Sequence, residues 1–240
     1  MKKISLLIGS FVVILSTAVA AHAEFSGNVA MTTDYRFRGI SQGDRSPAIQ
    51  GGFDIEHESG LYIGTWASNV TFSGGAVEMD YYAGFGGSIN EVSYDVGGIW
   101  YNYPEDDASP DLDYFEAYGS VSIRGLTLGL AYSPDYFAET GDFIYIYGDY
   151  GYALADNLSL DVHFGWNLFN SDAEFAAFIG PAAGTDAGKD YIDYSVSLST
   201  SAAGLDWGLA LIGTNISDAE CFDTTKLCSE SVVLSVSKSL

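Results

Sequence analysis

The sequence predicts an all-β fold, a closed twelve-stranded antiparallel transmembrane β-barrel. Three observations carry that expectation. The first 23 residues have the parts of a secretory leader. The rest is a succession of stretches, each roughly ten residues long, in which apolar side chains alternate with small or polar ones. The connections between those stretches alternate between short and long.

The leader begins with a positive segment, Lys2 and Lys3, followed by an apolar run from Ile4 to Ala20. Ala21-His22-Ala23 has the small-x-small pattern of a cleavage site, so the expected cut lies between Ala23 and Glu24. This divides the chain into a signal peptide, 1–23, and one barrel domain, 24–240. No later segment approaches the ~18 consecutive apolar residues that a membrane-spanning helix needs. Yet 48% of the chain is hydrophobic, with 17 Tyr, 14 Phe and 28 Gly, a composition suited to strands and crowded barrel walls. That apolar content also excludes a disordered chain.

Twelve strands are expected, at 25–38, 47–57, 61–70, 77–89, 92–103, 114–123, 126–133, 143–154, 158–168, 191–201, 205–214 and 231–240. The clearest alternation sets Leu158, Leu160, Val162, Phe164, Trp166 and Leu168 against Ser159, Asp161, His163, Gly165 and Asn167. Val77, Met79, Tyr81, Ala83 and Phe85 oppose Glu78, Asp80, Tyr82, Gly84 and Gly86 in the same way. In a soluble sandwich the apolar set would face inward. With a leader and sorted loops, the apolar set is expected to face lipid. The 61–70 strand has no clean alternation, and the face of Trp66 stays unassigned. Aromatic residues at strand ends suit membrane interfaces: Tyr35, Phe37, Trp100 and Tyr132 at the outer rim, Phe25, Tyr152 and Trp207 at the periplasmic rim.

The short connections are Glu58-Ser59-Gly60, Ile89-Asn90-Glu91, Arg124-Gly125, Ala155-Asp156-Asn157 and Ala203-Gly204. Each has Gly, Asn or Asp available for positive φ or tight turning. The long ones are Ser41–Ser46, Thr71–Ala76, Pro104–Asp113, Pro134–Asp142, Phe169–Asp190 and Asn215–Glu230. Short periplasmic turns and longer external loops are the pattern of bacterial outer-membrane barrels. The last strand carries Val232, Leu234, Val236, Lys238 and Leu240 on one face; Leu240 stands where the outer-membrane assembly machinery usually reads an aromatic residue.

After residue 23 the basic residues are Arg36, Arg38, Arg45, Arg124, Lys189, Lys226 and Lys238, against 32 acids. Nucleic acid is thereby excluded as a partner, because binding phosphates takes clustered Lys and Arg. The expected partners are a lipid bilayer, the assembly machinery, and small hydrophilic solutes or cations. The two cysteines, Cys221 and Cys228, would meet an oxidising compartment and form a local disulfide.

The segment Asp34-Tyr35-Arg36-Phe37-Arg38-Gly39-Ile40-Ser41-Gln42, with residues 47–54 and 60–70, resembles the TorF-type porins, a proteobacterial family of exported β-barrels. The likeness is strongest over residues 24–103. It implies an outer-membrane barrel with pore function and carries over no substrate and no functional residues.

Strand parity places Asp34, Arg36 and Arg38 on the lumen side of strand one. The same parity makes Asp54, Glu56, Glu78, Asp80, Asp95, Glu116, Asp149, Asp161, His163 and Asp193 lumen-facing. The two arginines either meet acids across the bore and set a field at a constriction, or simply pair with acids in a barrel filled by side chains. In an open pore the excess of acids predicts cation preference. The acidic run Glu105-Asp106-Asp107 with Asp111 and Asp113 lacks calcium-loop spacing and reads as a solvated loop. No cofactor, metal or catalytic site is expected. The functional expectation is a porin for passive diffusion of ions or small hydrophilic solutes in the bacterial outer membrane. The alternatives are a closed structural or adhesion barrel acting through its external loops, and a lipolytic barrel enzyme using His163.

Overall fold

The structure is a computed structural model that describes residues 23–71, 76–104, 110–180 and 188–240. Residues 1–22, which hold most of the expected leader, residues 72–75, the acidic run at 105–109 and residues 181–187 lie outside the described residues. Twelve wall strands form the barrel: β1 (Ala23–Thr32), β4 (Ala48–His57), β5 (Leu61–Asn69), β6 (Val77–Ile89), β7 (Val92–Asn102), β8 (Tyr114–Ile123), β9 (Leu126–Ser133), β10 (Phe143–Ala155), β11 (Leu158–Phe169), β12 (Asp190–Ala202), β13 (Leu205–Thr214) and β14 (Ser231–Ser239). Each pairs antiparallel with its chain neighbours, and β1 closes the ring on β14. Every wall strand therefore has partners on both sides, as a strand in hydrocarbon requires. Among the described residues no helix is long and apolar enough to cross a membrane.

The apolar residues point outward. Phe53, Ile63, Val96, Leu128, Phe164 and Leu209 are all exposed, while Glu78, Glu116, Asn167 and Asp193 are buried. A water-soluble protein of this size would bury the first set and expose the second. The arrangement is that of a barrel whose solvent is lipid. Five tight turns gather at one end. Arg124 (φ 49°) and Gly125 (φ 86°) show why two-residue hairpins favour glycine: both positions need positive φ. The long loops gather at the other end.

The loop end is closed by packing. The loop between β11 and β12 contains α1 (Asp172–Ile179), started by a capping box between Ser171 and Glu174. Its Phe175 and Ile179 are buried in a cluster with Tyr114, Tyr136, Phe143, Phe169 and Tyr191. The last long loop joins this cluster through the Cys221–Cys228 disulfide, whose Cα atoms are 6.0 Å apart.

Strand one departs from expectation. The wall strand stops at Thr32, and residues 36–41 turn inward as a separate hairpin, β2 (Arg36–Phe37) and β3 (Ile40–Ser41). Arg38 (φ 46°) and Gly39 (φ 81°) make its two-residue turn. Tyr35 and Phe37 consequently do not belong to an outer aromatic rim. Tyr35 is buried, edge-on to Trp66 with centroids 5.3 Å apart, and Phe37 packs on Tyr101. Trp66 thus faces the interior, opposite the outward Leu61 and Ile63. Trp100, Tyr132, Phe25, Tyr152 and Trp207 are exposed on the outside, as expected.

Candidate functional site: the barrel lumen

The inward hairpin is held at its base by a small ionic knot. Arg36 Nε donates to Asp34 Oδ2 at 2.8 Å, and Ser41 Oγ donates to Asp34 Oδ1 at 2.6 Å. Arg36 Nη1 donates to the carbonyl oxygens of Gly39, Leu227 and Ser229. The last two belong to the disulfide loop, so Arg36 ties the hairpin to that loop. At the tip, a Cβ on Gly39 would come within 2.5 Å of the Thr214 side chain and 2.9 Å of Asp193 Cβ. No larger residue fits there without moving the wall.

Arg38 crosses the bore. Its guanidinium forms a two-pronged pair with Glu116 on β8, Nη1–Oε1 2.7 Å and Nη2–Oε2 2.8 Å. It also lies 4.2 Å from the ring centre of Tyr145 and 4.9 Å from that of Phe143, both on β10. Arginine stays charged and presents a flat fork, which suits simultaneous carboxylate and ring contacts. Tyr136 accepts a further hydrogen bond from Nη1. Burial pushes the Tyr136 hydroxyl up to about 12, so it remains protonated. Arg38, Glu116, Phe37, Tyr101 and Tyr145 together form a layer across the lumen.

On the loop side of this layer lies an aromatic cavity of about 420 Å³. On the turn side lies another of about 460 Å³, bordered by the charged or titratable side chains of Arg36, Arg38, Glu116, His163 and Asp193. Towards the turn end the lumen continues into two acidic recesses. One holds Asp149, Asp161, His163 and Ser195. The other holds Asp54, Glu56, His57 and Asp95.

The expected lumen residues therefore all face the interior. Asp34, Arg36 and Arg38 do so from the inward hairpin rather than from a wall strand. Most of the acids fall into four settings. Asp34 and Glu116 are paired with arginine. Glu78 accepts from Tyr35, Asp54 from Tyr82, Asp95 from Tyr62 and Asp161 from Ser199. Asp80 is buried, with Oδ1 lacking a hydrogen-bond partner among the described residues. His163 sits between Asp149 (2.6 Å from Nδ1) and Asp193 (2.9 Å from Nε2), with the Tyr145 hydroxyl also at Nε2. Both ring nitrogens thus face carboxylates, and neither is bonded to a serine hydroxyl. A serine hydrolase needs that nitrogen for its nucleophile.

Sequence reasoning did not find the lumen tyrosines. Tyr62, Tyr118 and Tyr147 lie flat along the wall, over glycines of adjacent strands. A Cβ on Gly84, Gly97 or Gly129 would collide with the ring of Tyr62, Tyr118 or Tyr147, respectively. These pairs are cross-strand neighbours: Tyr62 opposes Gly84, Tyr118 opposes Gly97, and Tyr147 opposes Gly129. The glycines let the rings lie against the wall instead of projecting into the bore. The signal was present as inward-parity Tyr and Gly, but it needs the strand register to be seen.

Among the described residues no group of three or more His, Cys, Asp or Glu is arranged to hold a metal ion. Asp113 is instead committed to the Asn102 side chain and the Tyr103 backbone N–H.

The family model Gcw_chp, described as a bacterial protein of unknown function, matches residues 16–240. This chain belongs to the Gcw_chp family. No curated protein sequence matches it. Among solved structures, the NanC porin superposes with a TM-score of 0.50 at 8% identity, covering 88% of this chain and 97% of NanC. A chain from a study of in-meso crystallization of membrane proteins gives 0.51 at 6% identity, covering 90% of this chain and 83% of its own. At such identities the likeness concerns the fold. For this Gcw_chp chain it agrees with the closed, inside-out barrel described above, and the comparisons indicate no catalytic family.

Proposed function

We propose that this Gcw_chp chain is an outer-membrane channel for passive diffusion of ions or small hydrophilic solutes, with a preference for cations. In this reading residues 1–23 are a leader removed between Ala23 and Glu24, and the assembly machinery inserts the barrel with its long loops outside. The TorF-type likeness of residues 34–42 belongs to the same reading, since that segment is the inward hairpin.

One observation carries the proposal. The lumen is lined by acids, while its two arginines are each held by a carboxylate. The uncompensated field along the path is negative, which raises the local cation concentration.

Planar bilayers provide the test. Purified protein should give discrete current steps, with a reversal potential in a salt gradient shifted towards the cation's equilibrium value. Anion selectivity would overturn the preference, and no steps at any voltage would overturn the channel. A second reading, a closed structural or adhesion barrel acting through its loops, is favoured by the packed layer of Arg38, Glu116, Tyr101 and Tyr145. The absence of current would support it.

A further inference from the structure

The cavity on the loop side of the Arg38 layer differs in chemistry from the rest of the lumen. Its volume, about 420 Å³, falls within the range of small-molecule pockets, roughly 300–1,000 Å³. Tyr103, Tyr114, Tyr136, Phe137, Phe178 and Tyr191 supply most of its wall, and among the described residues no Asp, Glu, Lys, Arg or His lines it. The elements that shape it come from separate parts of the chain: the hairpin, residues Tyr103, Pro110 and Leu112 between β7 and β8, the β9–β10 loop, α1 and the disulfide loop. They are pinned together by Arg36, by the disulfide and by ring contacts such as Phe178–Phe222 at 5.7 Å. A pocket whose hairpin, helix and disulfide loop are pinned to one another is preorganised for a ligand.

We infer that this cavity binds a small aromatic molecule that carries no negative charge. Ring faces and edges on several sides offer stacked and edge-to-face positions to an aromatic guest. A positive head group is tolerated, because ring faces attract cations. An anion would give up its hydration and find no cationic side chain in the lining to replace it. The two arginines beside it, Arg36 and Arg38, are held by Asp34 and Glu116. The chain's formal charge of −23 opposes an anion further. This inference is independent of whether the barrel conducts, since binding is measured without current.

Isothermal titration of the detergent-solubilised protein with benzyl alcohol, benzylamine and benzoate tests it. The alcohol and the amine should bind saturably at one site, with benzoate weaker by about tenfold or more, the scale of an unreplaced polar partner. Leu227→Trp fills the cavity from the disulfide loop and should weaken both binders by about tenfold. Phe178→Ala removes one ring from α1 and leaves every wall-strand residue in place, and should weaken them too. Heat-dependent gel mobility reports whether each variant is folded; if Leu227→Trp is not, Phe178→Ala decides. The inference is overturned by the absence of saturable binding, by benzoate binding equally well, or by folded variants that bind like the parent.

Discussion

Arg38 and Glu116, 78 positions apart in sequence, meet inside the barrel in a two-pronged ion pair with N–O distances of 2.7 and 2.8 Å. Their side chains are only 6% and 2% exposed. The pair joins the inward hairpin to the far wall and divides an aromatic vestibule from an acidic lumen. Breaking such a pair from one side leaves a buried charge uncompensated, at a cost of about 3–5 kcal/mol. Glu116→Gln should therefore loosen the hairpin, seen as faster amide hydrogen exchange over residues 33–47 with little change in the wall strands. It should also raise single-channel conductance. Unchanged exchange would mean that the hairpin is held mainly by Arg36 and ring packing.

The disulfide loop supplies two of the carbonyl oxygens that hold Arg36. Closing so short a loop restricts the unfolded chain by roughly 2–3 kcal/mol. Cys221→Ser combined with Cys228→Ser should lower stability by about that amount in denaturant titration. Exchange should quicken at residues 34–42 as well as at 215–230. Protection lost from 215–230 alone would break the proposed link between loop and hairpin.

The tyrosines that lie over glycine give a prediction about bore shape. Gly129→Val would push the Tyr147 ring away from the wall, at a cost of about 1–3 kcal/mol from overpacking. Conductance should fall because the displaced ring enters the lumen. A variant with wild-type conductance would show that Tyr147 does not border the conducting path.

Outward and inward positions should respond oppositely to charge. Leu130 is exposed on the outside of β9, and Ser195 borders the lumen cavities. Leu130→Arg should destabilise the folded barrel in lipid by about 2–4 kcal/mol if it lies near the midplane. Ser195→Arg should change stability much less while shifting the reversal potential towards anions. Denaturant titration in vesicles and reversal potentials measure the two effects.

Much of the wall was legible in the sequence because side-chain parity survives translation into a barrel. The expected spans 77–89, 114–123, 126–133 and 205–214 coincide with β6, β8, β9 and β13. The turns were legible because a two-residue hairpin such as Ala203-Gly204 needs positive φ at both positions. The inward hairpin was not. Asp34, Arg36 and Arg38 alternate with Tyr35 and Phe37 just as a lipid-facing strand would. Period two cannot tell a ring facing lipid from one packed against Trp66 or Tyr101. Arg38-Gly39, read as a turn, was the available clue. The aromatic vestibule was invisible for another reason: its walls come from loops far apart in sequence, brought together only by barrel closure.

The central claim is that the apolar face of each strand meets hydrocarbon while the opposite face borders a wet lumen. Spin labels placed singly at residues 195 to 198 of β12 in lipid vesicles test it most directly. Labels at Val196 and Leu198, exposed on the outside, should be accessible to oxygen and shielded from a water-soluble nickel complex. Labels at Ser195 and Ser197, which border a lumen recess, should show the reverse bias, giving a period of two. Uniform accessibility along the strand, or apolar positions shielded from both reagents, would contradict the account.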